Sequence, residues 1–311
     1  MNAAIPVDFA RTMREVYGDA GVEWLERLPA IIADCEWRWS LAALRPFPRL
    51  SYNYVAPAVL ADGRDAVLKV GYPSSELLCE MEALRLYDGH GIVQLLHADR
   101  EQGAMLLERL KLGTPLASIE DDEEATSIAA SVMRQLWRPV PAEHQFPTVA
   151  KWASGLGRLR KHFGGTTGPL PKSLVEEAET LFTELLASMD EVVLLHGDLH
   201  HENIVAAERQ PWLALDPKGL VGEPAYEVGA LLRNRLPEPV TQPEASRTLA
   251  RRVDQLAEEL ELDRERLVCW GLAQAVLSAW WSIEDHGYGW EPAIAVAEAL
   301  TGIRRRTGHA L

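Results

Sequence analysis

The stretch VVLLHGDLHHEN, residues 192–203, decides the fold class of this chain. Its four leading apolar residues predict a short buried strand. Six of the next eight residues are polar or ionisable, which is unusual for an ordinary solvated turn. Asp198 and Asn203 stand in the pattern Asp-x-x-x-x-Asn within it. We therefore interpret the stretch as a catalytic loop that follows a strand; the alternative is a chance polar loop.

A second carboxylate follows at Asp216, thirteen residues after Asn203 and at the end of a strand predicted over 212–215. Enzymes that transfer phosphoryl groups use an Asp base and an Asn metal ligand at the Asp198–Asn203 spacing. A hairpin of this length would return a second metal ligand beside the first. A lone Leu-Asp-Pro is usually a turn. Together with Asp198 and Asn203, however, Asp216 predicts a catalytic base with two metal ligands.

Upstream, Lys69 lies in the apolar stretch DAVLKV, residues 65–70, which an Asp-Gly step links to a preceding apolar strand. The pattern predicts a hairpin. Glu80 and Glu82 both lie in the helix predicted over 74–91. A strand lysine held by a helix glutamate orients nucleotide phosphates in kinases. The alternative is a lysine at a strand edge with its ammonium in water, since burying an unpaired lysine is costly.

Apolar spacing divides the chain into a small β-rich part and a larger helical part. Two more short strands are predicted over 92–98 and 104–107. Helical spacing recurs over 8–44, 74–91, 120–137, 148–163, 173–189 and several segments from Tyr226 onward. We expect an N-terminal lobe over 1–107, a connector over 108–113 and a C-terminal lobe over 114–311. The connector would line an adenine pocket or serve as a plain linker.

The composition is that of a globular protein: 311 residues, 47% hydrophobic and 25% charged. A net charge of −15 disfavours binding to nucleic acid or to an anionic membrane, since both are polyanions, and it suits a cationic partner. Three scattered cysteines without a CxxC pair disfavour a disulfide framework or a zinc ribbon. Neither a secretory signal nor a membrane-spanning apolar run is evident. We expect a cytoplasmic protein and leave its oligomeric state open.

The order of these motifs resembles one family of small-molecule kinases. The specific part is HGDLHHEN followed by LDPKGLVGEPAYEVGALLRNR, within 192–235. It is similar to the aminoglycoside/hydroxyurea phosphotransferase family, whose named members are streptomycin 6-phosphotransferases. The resemblance implies an α+β, two-lobed protein-kinase-like fold with a small β-rich N-lobe and a larger helical C-lobe. It also implies transfer of the ATP γ-phosphate to a hydroxyl of an aminoglycoside-type acceptor, which inactivates the antibiotic.

The resemblance assigns roles to the polar residues of the C-terminal lobe. Asp198 matches the catalytic base, and Asn203 and Asp216 match the Mg²⁺ ligands. Pro-Lys follows Asp216 where protein kinases have Phe-Gly, so we expect no activation switch of that kind. Glu227 stands where relatives often have Asp, and we expect it to anchor the catalytic loop.

In the N-terminal lobe the resemblance assigns residues to ATP. Lys69 matches the phosphate-binding lysine, and Glu80 matches its partner better than Glu82 because of the family spacing. Glu108 and Leu110 would offer backbone hydrogen bonds to adenine.

The loop RLSYNY, residues 49–54, would cover the ATP phosphates, with Ser51 as a contact. It has no glycine, unlike the glycine-rich loop whose place it takes.

The acceptor site is predicted in the C-terminal helices. Trp281, Glu284 and Asp285 combine an aromatic face with two acids, and Glu223 is a further candidate near Asp216. Carboxylates bind guanidinium groups, which streptomycin-like molecules carry, and aromatic faces attract cations. The alternative is an amphipathic helix end with its acids in water.

Three other functions fit parts of this pattern. A zinc metallohydrolase could use His196, Asp198, His200, His201 and Asp216, although their order is not the usual one. A non-catalytic nucleotide-binding module would keep the fold, but every motif residue is present. A kinase for another small alcohol, such as choline, a fructosamine, homoserine or a sugar, shares the same lobe pattern.

Overall fold

A computed structural model describes residues 5–43, 45–48 and 50–307 of the chain. Its helices, α1 to α10 in chain order, are Val7–Arg38, Ser75–Tyr87, Asp122–Leu136, Val149–Ala153, Gly155–His162, Lys172–Ala187, Pro224–Arg233, Pro243–Leu260, Arg264–His286 and Glu291–Thr307. Its strands, β1 to β11, are Leu41–Ala43, Asn53–Leu60, Asp65–Gly71, Leu95–Asp99, Ala104–Glu108, Leu112–Pro115, Arg138–Pro139, Val193–Leu195, Ile204–Ala207, Trp212–Ala214 and Leu220–Gly222.

The chain divides into two units. The first runs as far as Leu112 and also includes Ala207–Arg209, at the turn between β9 and β10. The second comprises Gly113–Ala206 and the chain from Gln210 onward. The boundary between them falls inside the connector predicted over 108–113. No helix in the described part of the chain is long and apolar enough to cross a membrane.

The first unit is built on a five-stranded antiparallel sheet with the order β1-β2-β3-β5-β4. Alternate residues of β2 and β3 point into a core shared with α1, which includes Tyr54, Leu68, Trp24 and Leu28. The turn between β2 and β3 contains Gly63 at φ +85°, a backbone conformation that glycine adopts without strain. The predicted hairpin is therefore confirmed.

The predicted helix over 8–44 is wrong at its C-terminal end. Helix α1 stops at Arg38, Ser40 takes φ +48°, and β1 then pairs antiparallel with β2. Hydrogen bonding to the sheet, which lies outside the local sequence, decides the conformation of this segment. Helix α1 is also interrupted at Gly18, where φ is +56°.

In the second unit, α9 is the central helix and packs against α6, α7 and α10. Two three-stranded sheets, β7-β8-β11 and β6-β9-β10, accompany the helices. The helix predicted over 148–163 is two helices, α4 and α5, which separate at Ser154. Strands β7 and β11 were not predicted, because two or three residues are too short to display alternation.

Candidate active site

The backbone of the loop after β8 is hydrogen-bonded to one buried carboxylate. Strand β8 lies between β7 and β11, and all three of its residues are buried. The backbone N–H groups of His196 and Gly197, which follow it, donate to Oε2 and Oε1 of Glu227 at 2.6 and 2.9 Å. Glu227 lies on the first turn of α7 and is buried. This side chain therefore anchors the loop, in the manner that the sequence predicted.

His196 links the loop to the strand that precedes Asp216. Its Nδ1 accepts from the backbone N–H of Asp198 at 3.2 Å, so its proton resides on Nε2, which donates to the carbonyl of Leu215 at 2.8 Å. Burial lowers the pKa of His196 to about 4. The imidazole is thus neutral and serves as a structural bridge between Asp198 and the chain beside Asp216.

Asn203 and Asp216 are brought to the same end of the β9–β10 hairpin. The last ladder pair joins Ile204 to Ala214, and the N–H of Leu215 donates to the carbonyl of Asn203 at 2.9 Å. Asp216 is the next residue, and its φ of +59° places a non-glycine residue in the left-handed region. Such strain is concentrated at functional sites.

The residues at this end of the hairpin fit Mg²⁺ by their chemistry. Nδ2 of Asn203 donates to the carbonyl of Asp198 at 2.9 Å, which leaves its amide oxygen as an acceptor. The Asp216 residue is exposed. Mg²⁺ prefers oxygen ligands and keeps several waters, so one amide oxygen and one carboxylate are a suitable protein contribution.

The zinc-hydrolase alternative lacks a ligand set. No group of three His, Cys, Asp or Glu side chains within the described residues could hold a metal ion. Both ring nitrogens of His196 are engaged within the loop. His201 is buried away from solvent, and burial lowers its pKa to about 3.

The first unit contains a buried ion pair at the position predicted for ATP phosphates. Nζ of Lys69 on β3 lies 2.6 Å from Oε1 of Glu80 on α2, and both residues are buried. Glu82 points elsewhere and pairs with Arg85 at 2.5 Å near the surface. The structure therefore selects Glu80 over Glu82 as the lysine's partner, while the nucleotide role of the pair stays a prediction.

The end of β5 is fixed by Arg209, a residue that sequence reasoning missed. Its guanidinium contacts Glu108 Oε1 at 2.6 Å and donates to the carbonyls of Gly89 and Ile92 at 2.8 and 3.0 Å. Glu108 Oε1 also accepts from the N–H of Gln94 at 2.9 Å. These contacts explain why Ala207–Arg209 belongs to the first unit. In the sequence Arg209 is a lone arginine in a polar turn, which does not predict a contact with Glu108.

The remaining predicted nucleotide contacts lie in irregular segments. Leu110 is partly buried between β5 and β6, and Ser51 is exposed just before β2. Both roles stay predictions. Arg49, at the start of the predicted phosphate loop, lies outside the described residues.

Two of the acids predicted to bind the acceptor have partners within the protein. The Glu223 carboxylate accepts from Nε and Nη2 of Arg266, both at 2.5 Å, and from the indole N–H of Trp270 at 2.5 Å. Glu284 accepts two hydrogen bonds from Arg158, at 2.6 and 2.7 Å. Glu223 is buried, so its contacts favour a structural role.

Arg233, at the end of α7, is a charged residue near the loop to which the sequence analysis gave no role. It donates to Oε1 of Gln274 on α9, which in turn donates to the carbonyl of Tyr226 at 3.4 Å. Burial lowers the pKa of the Arg233 guanidinium, and the negative charge of Asp198 raises it. Because Arg233 is distant in sequence from the loop 196–203, no local sequence pattern predicts that it lies near Asp198.

Burial raises the pKa of Glu227 to about 7, although the N–H groups of His196 and Gly197 act in the opposite direction. Because the folded-state pKa lies above the unfolded value, this group stabilises the fold most at low pH, and the contribution is lost as pH rises from about 4.5 to about 7. We expect the free energy of unfolding of wild type, relative to Glu227→Gln, to fall over this range. Urea titrations of both proteins between pH 4.5 and 8 would measure it. A difference that rises with pH would contradict the prediction.

Comparison with known proteins identifies relatives of this chain. The model of the aminoglycoside/hydroxyurea antibiotic resistance kinase family matches residues 38–286. A streptomycin 6-kinase of Streptomyces glaucescens is 34% identical over 300 residues, which cover 96% of this chain and 97% of that protein. A hydroxyurea phosphotransferase of Kitasatospora aureofaciens is 34% identical over 311 residues, covering 96% of this chain and 86% of that protein.

Among solved structures, the fold is similar to that of a thermostable mutant of the aminoglycoside phosphotransferase APH(4)-Ia in a ternary complex with ADP and hygromycin B. The TM-score is 0.62 at 14% identity, with 88% of this chain and 97% of that chain covered. The fold is thus of the protein-kinase-like class, and relatives that match almost the whole chain are named kinases and phosphotransferases. The chain belongs to the aminoglycoside/hydroxyurea antibiotic resistance kinase family, as the motif resemblance implied.

Proposed function

We propose that this chain is a kinase that transfers the γ-phosphate of ATP to a hydroxyl of a streptomycin-like, cationic acceptor and so inactivates the antibiotic. The observation that carries the proposal is the loop 196–203, in which the backbone of Asp198 is hydrogen-bonded to both His196 and Asn203. The similarity to streptomycin 6-kinase over almost the whole chain supports this choice of acceptor.

The role of the second unit in this reaction is mainly to position the acceptor hydroxyl and the metal ion. Asp198 would orient the acceptor hydroxyl and receive its proton, because phosphoryl transfer passes through a loose transition state and depends on placement and charge neutralisation. Asn203 and Asp216 would hold Mg²⁺, which supplies positive charge at the phosphates when bound. Glu227 and His196 act through the loop backbone.

The first unit would bind the nucleotide. Lys69, held by Glu80, would contact the phosphates, and Ser51 would contribute from the loop that precedes β2. The backbone groups of Glu108 and Leu110 would bind adenine. The N–H of Glu108 already donates to the carbonyl of Gln94 at 3.0 Å, so the carbonyl of Glu108 and the N–H of Leu110 are the groups assigned to the base.

A second acceptor class is favoured by the relative named hydroxyurea phosphotransferase. Other small alcohols, including choline and sugars, are further candidate acceptors, and one experiment can test them all. An ATP-consumption screen over streptomycin, hydroxyurea and metabolic alcohols, with Asp198→Asn as the blank, separates these functions. Turnover with streptomycin that the blank lacks supports the proposal. Turnover confined to hydroxyurea or to a metabolic alcohol would replace it.

The acidic end of α9 provides a direct test of acceptor charge. We expect Glu284→Ala/Asp285→Ala to raise KM for streptomycin and leave KM for ATP unchanged, since guanidinium groups pair with carboxylates. Glu258→Ala/Glu261→Ala, which removes two exposed acids at the end of α8, is the matched control. An unchanged KM for streptomycin in the first variant would show that Glu284 and Asp285 form only a surface patch.

A further inference from the structure

Two partly buried tryptophans meet beside the catalytic loop. Trp152 on α4 and Trp281 on α9 contact each other edge to face, with ring centroids 5.2 Å apart and an interplanar angle of 87°. Trp281 was predicted to contact the acceptor, whereas nothing in the sequence distinguished Trp152 from the core tryptophans. The pair lies wholly within the second unit.

Trp152 places this aromatic pair beside Gly197, the residue before Asp198 in the loop. A Cβ added to Gly197 would lie 3.2 Å from Cη2 of Trp152, so the indole edge is close to Gly197. Tyr226, which is fully buried, lies 6.4 Å from the Trp152 ring and 5.2 Å from the Trp270 ring. Trp152 is therefore supported by a buried aromatic residue while part of its own surface stays open to solvent.

An acceptor hydroxyl must come within about 3 Å of Asp198 to transfer its proton. A large acceptor in that position extends over neighbouring surface, and Trp152 lies close to Gly197, the adjoining residue of the loop. Trp281 packs against Trp152, and Glu284 lies about one turn further along the same face of α9. Arg158 pairs with Glu284, and Asp285 lies near enough to raise the pKa of Arg158.

We propose that Trp152 and Trp281 form an aromatic wall of the acceptor site, against which a guanidinium group of the acceptor packs. This inference rests on the proposed function, because it locates the acceptor by its contact with Asp198. The face of an indole is the best aromatic partner for a cation, and guanidinium groups stack on it. The wall determines acceptor specificity, because it contributes binding free energy to a planar cation and little to a small neutral acceptor.

The test compares a cationic acceptor with a neutral one in each variant. Trp152→Leu and Trp281→Leu should each raise KM for streptomycin about tenfold, within the range that cation–π contacts produce. KM for hydroxyurea and KM for ATP should not change. Trp152→Phe should recover part of the effect, because it keeps an aromatic face. Trp37→Leu, which removes an exposed tryptophan of α1, is the control.

A second readout separates this inference from the proposed function. Calorimetric titration with streptomycin measures binding without turnover. Suppose that wild type binds streptomycin without phosphorylating it, and that the leucine variants weaken this binding. In that case the proposed function fails and the aromatic wall stands. If wild type phosphorylates streptomycin with a KM that neither leucine substitution moves, the wall is overturned and the function stands. An equal rise in KM for streptomycin and hydroxyurea also overturns it, because a packing defect would affect both. A wild-type protein that neither binds nor phosphorylates streptomycin overturns both.

Discussion

An Asp198→Asn variant is expected to lose about 10²- to 10⁴-fold in kcat, the range that a positioned general base contributes. Asparagine keeps the shape of the side chain but cannot accept the proton of the acceptor hydroxyl. The backbone bonds of residue 198 to His196 and Asn203 do not involve the carboxylate, so the loop should keep its conformation. Steady-state kinetics with streptomycin, together with calorimetric titration of ATP, would measure both effects.

The control for this variant is Asp190→Asn, which removes an exposed carboxylate just before β8. It should leave kcat close to wild type. Full turnover by Asp198→Asn would remove Asp198 from the base role. A loss of ATP binding equal to the loss of turnover would indicate that the loop had been damaged and that the chemical step was not the cause.

Separating the two partners of the Lys69–Glu80 pair is expected to have the largest effect on stability. Glu80→Gln leaves a buried ammonium without its carboxylate, and breaking a buried ion pair in this way costs about 3–5 kcal/mol. Replacing both residues, as Lys69→Met/Glu80→Leu, should restore much of the stability, since apolar residues of similar volume often substitute for buried pairs. KM for ATP should stay raised in the double variant, because the cation is absent.

Urea unfolding and ATP kinetics on the same proteins would measure the two effects separately. The matched control is Glu82→Leu/Arg85→Met, a more exposed pair on the same helix, whose removal should cost less than about 1 kcal/mol. A double variant with wild-type KM for ATP would reduce Lys69 and Glu80 to a structural pair. A Glu80→Gln variant as stable as wild type would show that the pair does not contribute to the fold.

Much of the candidate site could be predicted because its residues are close in sequence or belong to one hairpin. The loop 196–203 follows a buried strand, and the spacing from Asn203 to Asp216 matches the two strands β9 and β10 that bring them to one end. The helix predicted over 74–91 is likewise observed as α2, Ser75–Tyr87, and the side chain of Ser74 caps it by accepting from the N–H of Leu77.

Contacts between distant residues could not be predicted. Glu223 was a candidate for the acceptor because it follows Asp216, yet its oxygens bind Arg266 and Trp270, which lie more than forty residues further on. The family spacing favours Glu80 over Glu82, but only the structure shows the packing, in which Glu80 is buried against Lys69 and Glu82 pairs with Arg85. Residues 41–43 continue a helical pattern but form β1, because hydrogen bonds to β2 outweigh a weak local preference.

Mass spectrometry of streptomycin after incubation with the protein, ATP and Mg²⁺ measures the proposed phosphoryl transfer itself. We expect a product carrying one added phosphoryl group, formed in equal amount with ADP by wild type and at no more than a trace by Asp198→Asn. Unmodified streptomycin after prolonged incubation with wild-type protein that binds ATP would contradict it.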